Sequence, residues 1–163
     1  MKSRGFTLIE LLVVIAIIGI LSGIVLTALG GARNKAKEAK IQSELGQLRS
    51  AAELYAIDND GYGPGYSSSS CNAAGTMFVD SKITSILDSV KKVARTGVSS
   101  VQCAARPGTS TKSTSWAVTA ASASSPNIWW CVDSSGYNGQ VDRSGGASWA
   151  KTTAGGNVAC NHI

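Results

Sequence analysis

One histidine occurs in the 163 residues, His162, one residue from the C-terminal end. That scarcity removes most imidazole-based acid–base chemistry and any histidine-rich metal site. No CxxC pair exists among the four cysteines, which disfavours a zinc site. No nucleophile–base pair, phosphate-binding loop or metal cluster can be assembled, so an enzyme is the weakest reading, and no cofactor or metal is expected. Fifteen Lys plus Arg against ten Asp plus Glu give a net charge of +5, modest and scattered. Without a run of five like charges there is no basic tail for nucleic acid, and the sequence leaves that partner unknown. There is no N-x-S/T sequon either, so N-linked glycosylation has no acceptor.

What the chain does have is concentrated at its beginning. Nineteen residues from Leu11 to Leu29 carry no charge. As a helix they reach ~28 Å, about the thickness of a bilayer's hydrocarbon core. Lys2 and Arg4 precede the run, as in a positively charged, cytoplasm-retained leader. An ordinary signal peptide, cut after Ala28-Leu29-Gly30, is the simple alternative. Against it stand the length of the run and Glu10, a carboxylate just inside the apolar stretch, where charge is penalised. A glycine at position 5 leaves a scissile bond unencumbered by a side chain. Gly19 and Gly23 have the small-xxx-small spacing that lets helices pack closely in lipid, or they merely weaken the helix.

The stretch Gly5-Phe6-Thr7-Leu8-Ile9-Glu10-Leu11-Leu12-Val13-Val14-Ile15-Ala16-Ile17-Ile18-Gly19-Ile20-Leu21 resembles the N-terminus of type IV pilins and pseudopilins. The resemblance implies cleavage after Gly5 by a prepilin peptidase on the cytoplasmic side and N-methylation of the new terminus, Phe6. It further implies an inner-membrane single-pass precursor that inner-membrane assembly machinery draws from the bilayer into an extracellular homo-oligomeric helical filament. Orientation rests on this resemblance, because Arg33, Lys35, Lys37 and Lys40 crowd the other end of the span. Where many type IV pilins carry a proline, this chain has Thr27, so local helix melting on assembly lacks its best-known cause. Glu10 and the Phe6 amine created by cleavage are complementary charges. The resemblance favours their pairing between neighbouring subunits, since a misregistered subunit would leave both charges unpaired in low dielectric.

Beyond the apolar run, Ile41, Leu45, Leu48, Ala52 and Tyr55 recur at helical spacing and predict an amphipathic continuation. Lys40–Glu44 and Arg49–Glu53 are spaced as i,i+4 ion pairs. The helix should run from near Thr7 to about Ile57 and stop at Asp58-Asn59-Asp60-Gly61, a dense turn signal. That segment lacks the ligand spacing of an EF-hand loop. The organisation expected is a leader at 1–5, a transmembrane and assembly helix at 6–30, its amphipathic continuation at 31–57, and a globular head at 58–163.

In the head, Asp80 or Ser81 can cap a helix carrying Ile83, Ile86, Leu87, Val90 and Val93, with Gly97 as its stop. A Gly/Ser/Thr-rich loop follows to Ser115. Trp116, Val118 and Ala120 alternate as in a half-buried strand; Ile128–Asp133 returns as a second, and Gln140–Asp142 starts a third. The fold class is therefore α+β, a long N-terminal helix packed on a small antiparallel sheet. Only 20 of the 106 residues after Ile57 are Ile, Leu, Val, Met, Phe or Trp, a core thin enough to need staples. Cys71, Cys103, Cys131 and Cys160 supply them as disulfides in an exported head. Three pairings are possible; Cys71–Cys103 with Cys131–Cys160 links sequence neighbours and is preferred. Trp129, Trp130, Trp149, Tyr62 and Tyr66 are either core or an aromatic contact patch, and strand alternation would leave one of Trp129 and Trp130 exposed. The leading function is a structural subunit of a type IV pilus or related filament. The alternatives are a type II secretion pseudopilin and a minor pilin acting as adhesin or DNA-uptake component.

Overall fold

The computed structural model describes residues 5–68, 71–95, 100–106, 112–144, 150–152 and 158–160. Lys2, Arg4, Gly97, Trp149 and His162 lie outside the described residues. The chain divides into two compact units, residues 1–36 and 37–163. The first helix, α1 (Leu8–Asn59), has residues in both.

In the first unit every described residue is exposed, Leu8 through Leu29 included. Its large apolar side chains are among the most exposed of the described residues. Thr27 directs its hydroxyl to the Ile24 carbonyl at 2.9 Å, the back-bonding by which a hydroxyl sits inside a helix without breaking it. Added Cβ atoms at Gly19 and Gly23 would meet nothing within 4 Å.

The second unit is the head with the amphipathic part of α1. Ile41, Leu45, Leu48 and Ala52 are completely buried, as the 4-3-4 spacing predicts. Asp80 caps α2 (Ser81–Val93), accepting from Lys82 N at 2.9 Å and Ile83 N at 3.4 Å. Lys91 and Lys92 lie in the last turn of α2, where cations favour the helix dipole. Five strands form an antiparallel meander: β1 (Tyr66–Ser68), β2 (Val101–Arg106), β3 (Ser115–Ala121), β4 (Ile128–Asp133) and β5 (Asn138–Asp142). Cys103 pairs with Val118, and Val118 with Val132, which aligns one face across three strands. That face, with Val101, Ala105, Trp116, Ala120 and Trp130, packs into one core with the α1 stripe and Ile83, Leu87 and Val90 of α2.

The opposite face is covered as well. A two-stranded ribbon, β6 (Ala150–Thr152) and β7 (Val158–Cys160), contributes Cys160 to a second cluster with Ala104, Ala117, Ala121, Trp129, Cys131 and Val141. The half-buried strand expected at Trp116–Ala120 is therefore buried at every position from Ser115 to Ala121. The alanines on the β7 side are the reason this fits: a single methyl lets another backbone approach a strand closely. Trp129 and Trp130 do point to opposite faces, but each face is covered and both are only 8% exposed. The expected exposure of one of them is not found.

Each face carries one disulfide. Cys71–Cys103 closes on the helix side and Cys131–Cys160 on the β7 side, with Cα separations of 5.3 and 6.0 Å. Near the start of the head the chain passes so close to itself that a Cβ on Gly63 (φ +83°) would lie 2.4 Å from the Gly75 carbonyl oxygen. Only glycine fits there.

Candidate functional site

The N-terminal segment is organised by Thr7 and Glu10. Glu10 Oε2 accepts from Thr7 N at 2.9 Å and from Thr7 Oγ1 at 2.7 Å, while Glu10 N donates to Thr7 Oγ1 at 3.3 Å. This is a capping box, in which side chain and backbone three residues apart satisfy each other's free groups at a helix start. The signal is visible in the sequence as Thr7-Leu8-Ile9-Glu10, and reading Glu10 only as a charge to be paired missed it. Glu10 is also the acidic residue of the first helical turn, where the helix dipole favours a negative charge. Immediately before the cap, Gly5 and Phe6 are non-helical, and Phe6 is 80% exposed. The peptide bond between them is thus accessible, next to a residue without a side chain. Behind the cap, α1 contains a stretch long and apolar enough to cross a membrane.

In the head, the polar chemistry of α1 is directed inward. The expected Lys40–Glu44 and Arg49–Glu53 ion pairs do not form; the ion pairs found among the described residues are Lys91–Asp88 and Lys112–Asp60. Glu44 Oε1 instead accepts from Ser89 Oγ at 2.8 Å. Glu53 accepts from the Tyr62 hydroxyl at 3.1 and 3.0 Å. Burial pushes the Tyr62 phenol up, and the hydrogen bond to Glu53 and its charge push it further. An i,i+4 surface pair stabilises by only a few tenths of a kcal/mol, so hydroxyls presented at the core's edge compete successfully for the carboxylates.

Glu38 is the most heavily engaged of the three. Its Oε1 accepts from Ser122 Oγ at 2.6 Å, Ser124 Oγ at 2.7 Å and Ser124 N at 2.9 Å, and its Oε2 accepts from Trp130 Nε1. Partial burial pushes this carboxyl up, but the bonds from Ser122, Trp130 and Ser124 outweigh it and hold the group below its ordinary value. Across the β3–β4 turn, Arg95 Nη2 donates to the Pro126 carbonyl at 3.1 Å. The turn is thereby held by α1 on one side and by the chain after α2 on the other.

Of the aromatic contact patch, Tyr62, Trp129 and Trp130 are buried and Tyr66 is half-buried, stacked at a tilt on Phe78 with 6.0 Å between centroids. Arg143 lies 4.4 Å above the Trp129 ring. No group of three or more potential metal ligands occurs among the described residues.

A capped apolar helix with exposed residues before it, leading to a disulfide-stapled α+β head, is the architecture of a type IV pilin-like protein. The family described as the prokaryotic N-terminal methylation motif matches residues 1–26. Type II secretion system core protein G of Klebsiella michiganensis is 46% identical over 61 residues, 37% of this chain and 43% of that protein. The core protein G of Escherichia coli is 44% identical over the same length, covering 42% of it. The type IV wide pilus major component PilA4 of Thermus thermophilus is 43% identical over 61 residues, 47% of its length. The chain thus matches less than half the length of these relatives, and no solved structure matches it. Together, the motif and these relatives support the type IV pilin and pseudopilin family for this chain.

Proposed function

We propose that the protein is a structural subunit of a type IV pilus or related cell-surface filament. In this reading residues 1–5 are a leader with Lys2 and Arg4 on the cytoplasmic side, prepilin peptidase cuts after Gly5, and Phe6 becomes the methylated N-terminus. The helix 6–30 anchors the precursor in the inner membrane and then packs with sister helices, and residues 31–57 carry the head. The observation that carries the reading is the methylation motif over residues 1–26 coinciding with a helical stretch whose large apolar side chains are exposed. Pilins and pseudopilins are structural proteins, and the role proposed is assembly, not catalysis.

Glu10 has a second part in this proposal. In the precursor its carboxylate serves Thr7; cleavage places a cation at Phe6, within one helical turn. A neighbouring subunit's Glu10 then meets that amine and sets the axial register. Glu10→Gln keeps the shape and removes the charge. Membrane insertion and cleavage should remain normal, while few or no filaments form in cells lacking the wild-type subunit. Wild-type filament yield would defeat the charge-pair role. Mass mapping of the mature protein tests processing separately. A terminus at methylated Phe6 is expected, and a terminus at Gly31 would establish ordinary signal-peptide cleavage.

The names of the relatives favour a second reading, a pseudopilin of a type II secretion system, because core protein G recurs among them. Electron microscopy of surface filaments with mass mapping of sheared material separates the two. A major pilin dominates the sheared fibres; a pseudopilin or minor pilin is absent or scarce there.

A further inference from the structure

The last strand and the second disulfide share a buried acid that the sequence pattern does not single out. Asp133, at the end of β4, is 0% exposed. Its Oδ1 holds the β4–β5 turn, accepting from Ser135 N at 2.9 Å, Ser135 Oγ at 2.6 Å and Tyr137 N at 3.2 Å. Its Oδ2 has a different partner, the backbone N–H of Cys160 in β7, at 2.8 Å. Asp133 and Cys131 are two residues apart on one strand and so face the same side of the sheet, the side on which β7 lies. Cys160 is therefore attached to β4 at two points: its sulfur to Cys131 and its amide to Asp133.

We propose that Asp133 is the positioning residue that selects Cys160 as the partner of Cys131. A buried carboxylate requires a donor for each oxygen, and the turn satisfies only Oδ1. Docking of β7 supplies the donor for Oδ2, so the charge-assisted bond draws the Cys160 backbone to the site before any sulfur has reacted. With the backbone held there, the two thiols meet at high effective concentration. Cys71 and Cys103 lie in the cluster on the other face of the sheet, so a docked Cys160 is separated from them by the sheet itself. The alanines at 104, 117 and 121 leave the space into which β7 settles.

Closing the bridge removes two protons and two electrons from the Cys131 and Cys160 thiols. By thiol–disulfide exchange they pass to a small-molecule disulfide such as oxidised glutathione, which leaves as two reduced thiols. Asp133 takes no part in the exchange; it holds the backbone.

The test is reoxidation of the reduced full-length protein in detergent with a glutathione redox buffer, followed by quenching and non-reducing peptide mass mapping. Asp133→Asn discriminates between the two duties, because one amide carbonyl can serve the turn or Cys160 N but not both. Cys131–Cys160 should form about tenfold more slowly, with Cys131 and Cys160 appearing in mispaired species, while Cys71–Cys103 forms at the wild-type rate. Ser135→Ala, which removes one donor to Oδ1 and leaves Oδ2 in place, should pair as wild type. Wild-type pairing kinetics in Asp133→Asn would overturn the proposal. Equal slowing of both bridges would overturn it too, by making Asp133 a general determinant of folding.

Discussion

Replacing Glu38 by Gln removes a charge from the point where α1 holds the β3–β4 turn. Four donors converge on this carboxylate: the Ser122 and Ser124 hydroxyls, the Ser124 amide and the Trp130 indole N–H. An amide has one acceptor oxygen and an NH2 group that would face a donor. At least one of the four is left without an acceptor, and the rest lose charge assistance. A net hydrogen bond to a charged group is worth about 1.5–3 kcal/mol, but the serine side can be re-satisfied by water. The expected loss is about 1–3 kcal/mol, several degrees in thermal midpoint for a head of this size. The acid dependence supplies an independent signature. Because the folded carboxyl lies below its ordinary value, it contributes stability above the unfolded pKa of about 4.3, and this is lost as pH falls through the folded value. Glu38→Gln should lose stability at pH 7 and show a shallower decline as the pH falls below the unfolded value. Thermal unfolding of the full chain in detergent, followed by tryptophan fluorescence at several pH values, measures both. An unchanged midpoint at pH 7 together with a wild-type acid slope would refute the role assigned to Glu38.

Three further perturbations test the packing. Gly63→Ala should destabilise the head by about 2 kcal/mol or more, since the new methyl collides with the Gly75 carbonyl at a positive φ; chemical denaturation reads it. Leu45→Ala, at a fully buried position of the α1 stripe, should cost about 2–5 kcal/mol in the same assay, and an unchanged midpoint would mean that the helix does not line the core. Replacing both Cys71 and Cys103 by Ala should lower stability by about 3–4 kcal/mol, the loop-closure value for a separation of 32 residues; a wild-type midpoint would show that the bridge is dispensable.

The elements with a strong period were legible in the sequence. The α1 stripe, α2 with its Asp80 cap, and β3 and β4 are where the pattern puts them, and α1 ends at Asn59, two residues beyond Ile57. β2 has no strand signal in the sequence, because Val101-Gln-Cys-Ala-Ala-Arg has one β-branched residue and two alanines. Its reason for being a strand is tertiary: a place between β1 and β3, with Ala104 facing the second cluster. β1, β6 and β7 have three residues each, too few to show alternation. The ion pairs failed for a related reason. Charge spacing on a helix is local information, whereas Ser89 and Tyr62 reach Glu44 and Glu53 from elsewhere in the chain. At the N-terminus the cap is legible in Thr7-x-x-Glu10, the Thr and Glu of a capping box three residues apart.

Strand β3 has neighbours on both edges and cover on both faces. Its residues are buried and its backbone is paired with β2 on one edge and β4 on the other. Those of Ala117 to Ala120 should exchange with deuterium only when the whole head opens, whereas the three-residue strands exchange through smaller fluctuations. The free energy obtained from the slowest β3 amides is then that of the entire head. A single strand thus serves as an internal gauge of the head's global stability.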